Sequence, residues 1–300
     1  MKIIITGFSG FVGSHLTEKL LKEGHEVIGI DRSIKWENLI DPKNPKLKIY
    51  HENLESNISD LFKGVDLVFH LAALTRPQWS IEHVSETNQV NVDGTIRVLE
   101  YCRDNKVKRI IFMSSSNLYG EQGKEAILET AKPNPMNPYA LQKLIGEQYC
   151  ELFYKLYGLE YNIIRPFNIY GPRMPISGYY TCAVATFINK LRNNLPLEMF
   201  GDGEQRRDFV YIDDVIDQMI FMSLSTVHGQ AFNCGSGINY SINELYEKIE
   251  HLMKKQIEPI RLPRQSDPSN TLAEIYKAKL LLKWRPKIGL DEGLRKTIYE

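Results

Sequence analysis

Thr6-Gly7-Phe8-Ser9-Gly10-Phe11-Val12-Gly13 is the stretch that decides the fold. It follows Lys2-Ile3-Ile4-Ile5, a short β-branched run that reads as a buried strand. It precedes His15-Leu16-Thr17-Glu18-Lys19-Leu20-Leu21, whose apolar spacing predicts a helix. Strand, glycine turn and helix in that order make a cradle for a dinucleotide. Gly7 permits the tight turn, Gly10 lets the backbone approach a pyrophosphate, and Gly13 allows helix to pack closely on strand. The helix N-terminus adds free N–H donors and the positive end of its dipole.

The next strand, His25-Glu26-Val27-Ile28-Gly29-Ile30, runs into Asp31, eighteen residues after Gly13. A carboxylate there accepts both ribose hydroxyls of an adenosine and repels a 2′-phosphate, so NAD is expected over NADP. Arg32 follows directly and can soften that preference.

Three hundred residues suit one large or two modest domains. An apolar content of 43% and a charged content of 25% are those of an ordinary globular chain. Lys+Arg 37 balance Asp+Glu 37, so no net field draws the chain to nucleic acid or to an anionic membrane. No apolar stretch approaches the about 20 residues that span a bilayer. The N-terminus enters a strand at once, which leaves no room for a signal peptide, and a cytoplasmic protein is expected. Cys102, Cys150, Cys182 and Cys234 are scattered, as reduced thiols would be. The seven histidines show no metal-ligand spacing, and no metal is expected.

Strands and helices alternate through the first half. Val65–Ala73 reads as a buried strand, Asn91–Asn105 as a helix with Ile96, Val98, Leu99 and Cys102 on its apolar side, and Arg109–Ser114 as a strand ending in hydroxyls. Pro138–Tyr157 reads as a long helix with Asn137 as cap and Pro138 at its first position. Tyr161–Arg165 is the next strand. This alternation means a parallel sheet covered on both faces. After Pro166 the texture changes: proline, glycine and polar residues cluster through Gly178, and a helix follows over Ala183–Arg192. Strand character resumes at Asp208–Ile212, then a helix over Asp213–Ser225, and Ser241–Glu300 reads as helical with short connections. The expected fold is α/β: a Rossmann-type doubly wound parallel sheet (1–166 plus 207–235) with a smaller, mostly helical substrate-binding lobe (167–206 plus 236–300). A second ligand belongs in the cleft between them.

Tyr139-Ala140-Leu141-Gln142-Lys143 sets a phenol and an ammonium four apart on one helix face. A phenol with its ordinary pKa of about 10 is a poor base at neutral pH. Lys143, with a positively charged nicotinamide ring, would lower it. Tyr139 then takes the proton of a substrate hydroxyl while hydride leaves the same carbon. Ser114-Ser115-Ser116 stands at the C-terminal end of a parallel strand, the edge at which ligands bind in open α/β sheets.

With these residues the chain resembles the extended short-chain dehydrogenase/reductase superfamily, within it the NAD-dependent nucleotide-sugar epimerase/dehydratase family. The resemblance spans essentially the whole length. Beyond the cradle it rests on His70-Leu71-Ala72-Ala73, Asn91-Val92-Asp93-Gly94-Thr95 and Ser114–Gly120. It rests further on Tyr139 and Lys143, on Arg165-Pro166-Phe167-Asn168-Ile169-Tyr170-Gly171-Pro172-Arg173, and on Gly201–Val215. It implies Ser115 as catalytic serine, Tyr139 as acid/base and Lys143 as its partner. The implied NAD contacts are Gly7, Phe8, Ser9, Gly10, Phe11, Val12, Asp31, Arg32, Leu71, Ala72, Ala73, Asn91, Ser114, Tyr139, Lys143 and Phe167. Asn53-Leu54 falls where the family usually has Asp-Leu/Val beside the adenine, and asparagine keeps the carbonyl acceptor. The implied substrate contacts are Thr75, Ser115, Ser116, Asn117 and Tyr139, with Asn168, Arg207 and Arg264 on the diphosphate and Thr271 beside the sugar. Guanidinium groups suit a pyrophosphate because they are permanently charged and bidentate.

Within the family, the 4,6-dehydratases usually carry Asp-Glu directly after the catalytic Ser/Thr, and the sugar-acid decarboxylases usually have glutamate at the Asn117 position. Ser116 and Asn117 stand here, and neither is a general acid. A 4-epimerase needs only Ser, Tyr, Lys and bound NAD. The implied cycle is redox-neutral: a transient 4-keto sugar turns about its diphosphate link and hydride returns to the opposite face. At the position of Thr271 the family can carry a bulky tyrosine that restricts the pocket to plain hexoses. The small threonine extends the expected substrates from UDP-glucose/UDP-galactose to their N-acetylated counterparts. The helices at Asn91–Asn105 and Pro138–Tyr157 carry apolar residues on more than one face, among them Leu144, Ile145, Tyr149, Phe153 and Leu156; core packing accounts for them, but the resemblance implies a homodimer in which two such helices per subunit form a four-helix bundle. The alternatives are a reductase or dehydratase of the same family and a non-catalytic NAD-sensing protein, which would tend to lose the tyrosine–lysine pair.

Overall fold

The computed structural model describes residues 1–175, 182–264 and 267–299, so the end of the cluster expected through Gly178 lies outside the described residues. In chain order the strands are β1 (Lys2–Thr6), β2 (Glu26–Asp31), β3 (Leu47–His51), β4 (Leu67–His70), β5 (Arg109–Met113) and β6 (Glu160–Pro166). They continue with β7 (Asn168–Tyr170), β8 (Glu198–Phe200), β9 (Arg206–Tyr211), β10 (Gln230–Cys234), β11 (Asn239–Ser241) and β12 (Ile260–Leu262). The helices are α1 (Phe11–Lys22), α2 (Pro77–Glu82), α3 (Val84–Asn88), α4 (Gly94–Asp104) and α5 (Pro138–Tyr157). Then come α6 (Ala183–Arg192), α7 (Ile212–Leu224), α8 (Ile242–Met253), α9 (Tyr276–Leu281) and α10 (Leu290–Tyr299).

The large sheet has seven strands in the order β10-β6-β5-β4-β1-β2-β3, all parallel. Both of its faces are buried, which is why β1 reads as an unbroken apolar run. Side chains alternate across it: Ile3 and Ile5 pack into the layer holding Leu16 of α1 and Met219 of α7, whereas Ile4 packs into the layer holding Val98 of α4 and Phe153 of α5. The strand order reverses between β1 and β4, which opens a crevice at their C-terminal ends. The turn after β1 and the segment after β4 meet there.

Helix α5 has its expected bounds. Asn137 Oδ1 accepts from the Ala140 N–H at 2.9 Å, and Pro138 supplies a first-turn residue with no N–H to satisfy. Other boundaries move. β4 stops at His70, and Leu71–Ala73 leave the sheet. The helix expected from Asn91 is preceded by α3, and a π-helical turn at Gln89–Asp93 joins α3 to α4. β3 was not legible because it is a half-exposed edge strand, and β10 because Gln230-Ala231-Phe232-Asn233-Cys234 carries no β-branched residue. The segment from Ser241 is not helical throughout. Among the described residues no helix forms between α8 and α9, and β12 pairs parallel to β8; Pro259, Pro263 and Pro268 lack the N–H that a helix needs.

Two smaller sheets accompany the large one: the three-stranded β11-β9-β7 and the two-stranded β12-β8. The expected division between 206 and 207 falls inside β9, which pairs with β7 and β11 rather than with the large sheet. Among the described residues no helix is long and apolar enough to cross a membrane.

Candidate active site

The cradle is shaped by sterics. Gly7 adopts φ +71°, and a Cβ there would lie 2.9 Å from the Ala72 nitrogen. A Cβ on Gly13 would overlap the Gly7 carbonyl oxygen and the Phe8 backbone. Gly10 begins α1 without a side-chain cap, so the first-turn N–H groups face the crevice unblocked by a side chain. Phe8 is fully buried, with its ring against Gly29, so only its backbone is available to a ligand. Asp31 is oriented by Ser9, whose hydroxyl donates to Oδ2 at 2.7 Å, and its other oxygen accepts the Ser33 N–H at 3.2 Å. Arg32 is exposed, Asn53 half-buried and Leu54 buried.

The segment after β4 is held by a directed chain of hydrogen bonds. Thr6 Oγ1 accepts from the Leu71 and Ala72 N–H groups, both at 3.2 Å, and so donates to His70 Nδ1 at 2.7 Å. His70 Nε2 then donates to Thr95 Oγ1 at 3.0 Å, whose own proton goes to the Asn91 carbonyl at 2.7 Å. Burial pushes His70 down to about 3, so the ring is neutral. Asn91, expected beside the cofactor, directs its side chain to the protein instead: Oδ1 accepts the Leu74 N–H at 2.8 Å, and Nδ2 donates to the Leu74 carbonyl at 3.1 Å.

At the end of β5, Ser114 Oγ is buried and finds no hydrogen-bond partner among the described residues. Ser115 Oγ accepts the Asn117 N–H at 3.2 Å, capping a 3₁₀ turn, and, against burial, the Ser115 side chain is the group that pulls the Tyr139 phenol down. Tyr139 is 6% exposed. Burial pushes its phenol up to about 12, against the pull of the Ser115 hydrogen bond. Within the protein itself desolvation outweighs the pull of Ser115, and the lowering expected from Lys143 is a joint one with a positively charged nicotinamide ring. The ammonium lies 6.0 Å from the Tyr139 ring centroid and donates to the Met113 carbonyl at 2.7 Å. Burial brings Lys143 down to about 8, while the Glu147 carboxylate one turn along α5 holds it up.

On the other side of the crevice, Phe167 is buried among Leu118, Tyr119, Ile127 and Ala273. Asn168 Nδ2 donates to the Asp208 carbonyl at 3.0 Å. Arg207 is buried, and its guanidinium donates to the Arg206 carbonyl at 2.9 Å and to the Asp267 carboxylate. Arg264 is exposed beside Gly201. Thr271 donates its N–H to the Arg206 carbonyl at 3.0 Å, and its Oγ1 is buried with no hydrogen-bond partner among the described residues. Ser116 is half-buried, and Thr75 and Asn117 are exposed. Asp208 was missed by sequence reasoning. Its buried carboxylate accepts from Ser236 Oγ and from the N–H groups of Ser236, Gly237 and Ala273. Burial nevertheless raises it to about 6. Asp267 was missed as the partner of Arg207. Its only sequence signal was its position three residues after Arg264.

A dinucleotide fits these residues: a glycine turn that a Cβ would fill, an oriented carboxylate at the end of β2, and a buried hydroxyl at Ser114 with no partner among the described residues. The family model described as the NAD dependent epimerase/dehydratase family matches residues 3–235. A putative UDP-glucose 4-epimerase of Methanocaldococcus jannaschii is 36% identical, covering 99% of this chain and 97% of its own. Among solved structures, the UDP-N-acetylglucosamine 4-epimerase from Methanobrevibacter ruminantium M1, in complex with UDP-N-acetylmuramic acid, superposes with a TM-score of 0.95 at 33% identity, over 99% of this chain and 96% of that one. The UDP-glucuronic acid 4-epimerase from Bacillus cereus, in complex with UDP-glucuronic acid and NAD, has a TM-score of 0.93 at 32% identity, over 99% and 98%.

Proposed function

The chain belongs to the NAD-dependent epimerase/dehydratase family, and from that premise we propose that it inverts C4 of a UDP-sugar with NAD as its resident cofactor. The observation that carries this reading is the buried Ser115 hydroxyl acting on the Tyr139 phenol at the C-terminal edge of the sheet, one helical turn from Lys143, with no acid at Ser116 or Asn117.

The Gly7–Gly13 turn would hold the pyrophosphate, Asp31 the adenosine ribose, and Ser114 and Lys143 the nicotinamide end. Bound NAD supplies hydride acceptance and return at the sugar carbon. Tyr139 removes the C4 hydroxyl proton and later gives it back, so no proton or electron pair is consumed over a cycle. Burial holds the phenol at about 12, so its base form, the phenolate, would need the combined pull of Ser115, the Lys143 ammonium and the positive charge of the oxidised nicotinamide. Lys143 supplies positive charge on the same helix face. Arg207 and Asn168 grip the diphosphate while the sugar turns, for which Arg207 exchanges Asp267 for phosphate oxygens. The small Thr271, whose hydroxyl finds no partner among the described residues, leaves room for an N-acetyl group beside plain hexoses. Arg264, exposed as it stands, would close on the diphosphate from outside. The exposed Leu141, Leu152, Leu156 and Tyr157 along α5 give a homodimer its apolar face.

The test is NMR of the purified protein, with no added cofactor, against UDP-glucose, UDP-galactose, their N-acetylated counterparts and UDP-glucuronic acid. Inversion at C4 without net NADH production supports the reading. Stoichiometric NAD(P)H consumption, loss of water or release of carbon dioxide would replace it by the reductase, dehydratase or decarboxylase alternative.

A further inference from the structure

Gln142 stands between the two residues that carry the proposed chemistry, three after Tyr139 and one before Lys143. It is 3% exposed, so its primary amide must find partners inside the protein. Oε1 accepts from Asn91 Nδ2 at 2.8 Å, and Nε2 donates to Thr87 Oγ1 at 2.9 Å. The surroundings fix that orientation. The Thr87 proton is directed to the carbonyls of His83 and Val84, both at 3.0 Å, so its oxygen is free to accept. The two Asn91 N–H groups go to Gln142 and to the Leu74 carbonyl, while Asn91 Oδ1 accepts the Leu74 N–H. A flipped amide at Gln142 would set donor against donor at Asn91.

Two amides in series thus clamp both polar groups of Leu74 to α5. The π-helical turn at Gln89–Asp93 contains Asn91, and the Asn91 carbonyl accepts the Thr95 hydroxyl. A second tie lies six residues on, where the Tyr139 N–H donates to Ser80 Oγ at 3.1 Å. The segment between, Leu74–Ser80, which directly follows the Leu71–Ala73 stretch expected at the cofactor and contains Thr75, is therefore held against the helical turn that bears Tyr139 and Lys143.

We infer that Gln142 is a positioning residue for this site: through Asn91 it sets the distance between the Leu71–Thr75 segment and the Tyr139 phenol. The inference rests on the proposed reaction, because proton transfer at Tyr139 requires that distance to hold. A displacement of about 1 Å at a reacting centre can lower a rate about 100-fold.

The experiment is Gln142→Met, which keeps the length of the side chain and removes both hydrogen bonds. We expect kcat for C4 inversion to fall at least about 10-fold with KM within about twofold and the NAD content per subunit unchanged. Amide exchange at Leu74 should quicken at least about 10-fold while β4 stays protected, and Asn91→Ala/Gln142→Met should be no slower than Asn91→Ala alone. A kcat within about twofold of the parent protein, or a joint fall of kcat, NAD content and melting temperature, overturns the inference. Should Gln142→Met not fold, Thr87→Val frees one end of the same amide. Its kcat should fall about two- to fivefold at constant KM, and an unchanged kcat overturns the inference. A parent protein inactive on every UDP-sugar overturns the proposed reaction and the positioning role of Gln142 with it, whereas exchange at Leu74 separately decides whether the clamp exists.

Discussion

The cradle between β1 and α1 and the substrate side around β9 are built from different forces. In the cradle, shape comes from backbone packed against backbone, at Gly7 against Ala72 and at Gly13 against Gly7, with neutral hydrogen bonds through Thr6 and His70 behind it. Around β9, shape comes from charge: Arg207 with Asp267, and Asp208 with four donors from distant loops. Overlap rises steeply with distance and cannot be shared out, whereas a charged group can exchange one partner for another. The first region therefore fails all at once, and the second can be tuned.

Gly13→Val breaks the comparison most severely. The added side chain has no space beside the Gly7 carbonyl, and we expect no folded protein containing NAD, read as nucleotide released on denaturation. Recovery of NAD-loaded Gly13→Val would show that the cradle is softer than its geometry. Tyr139→Phe lies between the two regions. It removes the proton carrier and leaves the packing, so turnover should fall about 1000-fold with NAD content intact. Near-full turnover would dismiss Tyr139 as acid/base. Arg207→Leu should raise KM for the UDP-sugar about 10- to 100-fold and change kcat little, measured by steady-state kinetics. An unchanged KM would make Arg207 a structural partner of Asp267 alone. Thr271→Tyr should cut the rate on N-acetylated sugars about 10-fold relative to plain hexoses, in a competition assay followed by NMR. Equal losses on both would remove Thr271 from the sugar pocket.

Protons sharpen the contrast with a difference of sign. His70 titrates near 3 in the folded protein and near 6.5 in an unfolded chain, so between those values the unfolded chain holds more protons. Its contribution is complete above 6.5 and is lost as pH falls towards 3. Asp208 titrates near 6 folded and near 3.8 unfolded, so its contribution runs the other way: stability falls as pH rises from 3.8 to 6. Urea unfolding of His70→Gln and Asp208→Asn between these limits should change the pH slope in opposite directions, by at most about 1.4 kcal/mol per pH unit each. Slopes that move together would refute the assignment of opposite environments.

Much of the candidate site was legible along the chain, and the reasons are local. The 3.6-residue spacing placed Tyr139 and Lys143 on one face of α5, Asn137 and Pro138 marked where that helix begins, and a strand ending in hydroxyls put Ser114–Ser116 at the ligand edge, with Ser115 singled out by the family resemblance. The ionisation of Tyr139 was not legible, because burial is a property of everything packed around the ring. Nor were the roles of Asn91 and Gln142, since an amide's function depends on which donors and acceptors the fold brings within 3 Å of it.

By itself the sequence determined the strand–glycine–helix cradle, the acid at the end of β2, the alternation that makes a parallel sheet, and the tyrosine–lysine pair. Each depends on sterics or on a period that operates within a few residues. Only the tertiary structure decided that β10 extends the large sheet while β9 leaves it, that Asp267 occupies Arg207, that Asp208 gathers Ser236, Gly237 and Ala273, and that Leu74 is clamped to α5. These pairings join residues far apart along the chain. Burial and partner choice are settled only when the sheet, its two helical layers and the lobe close on one another.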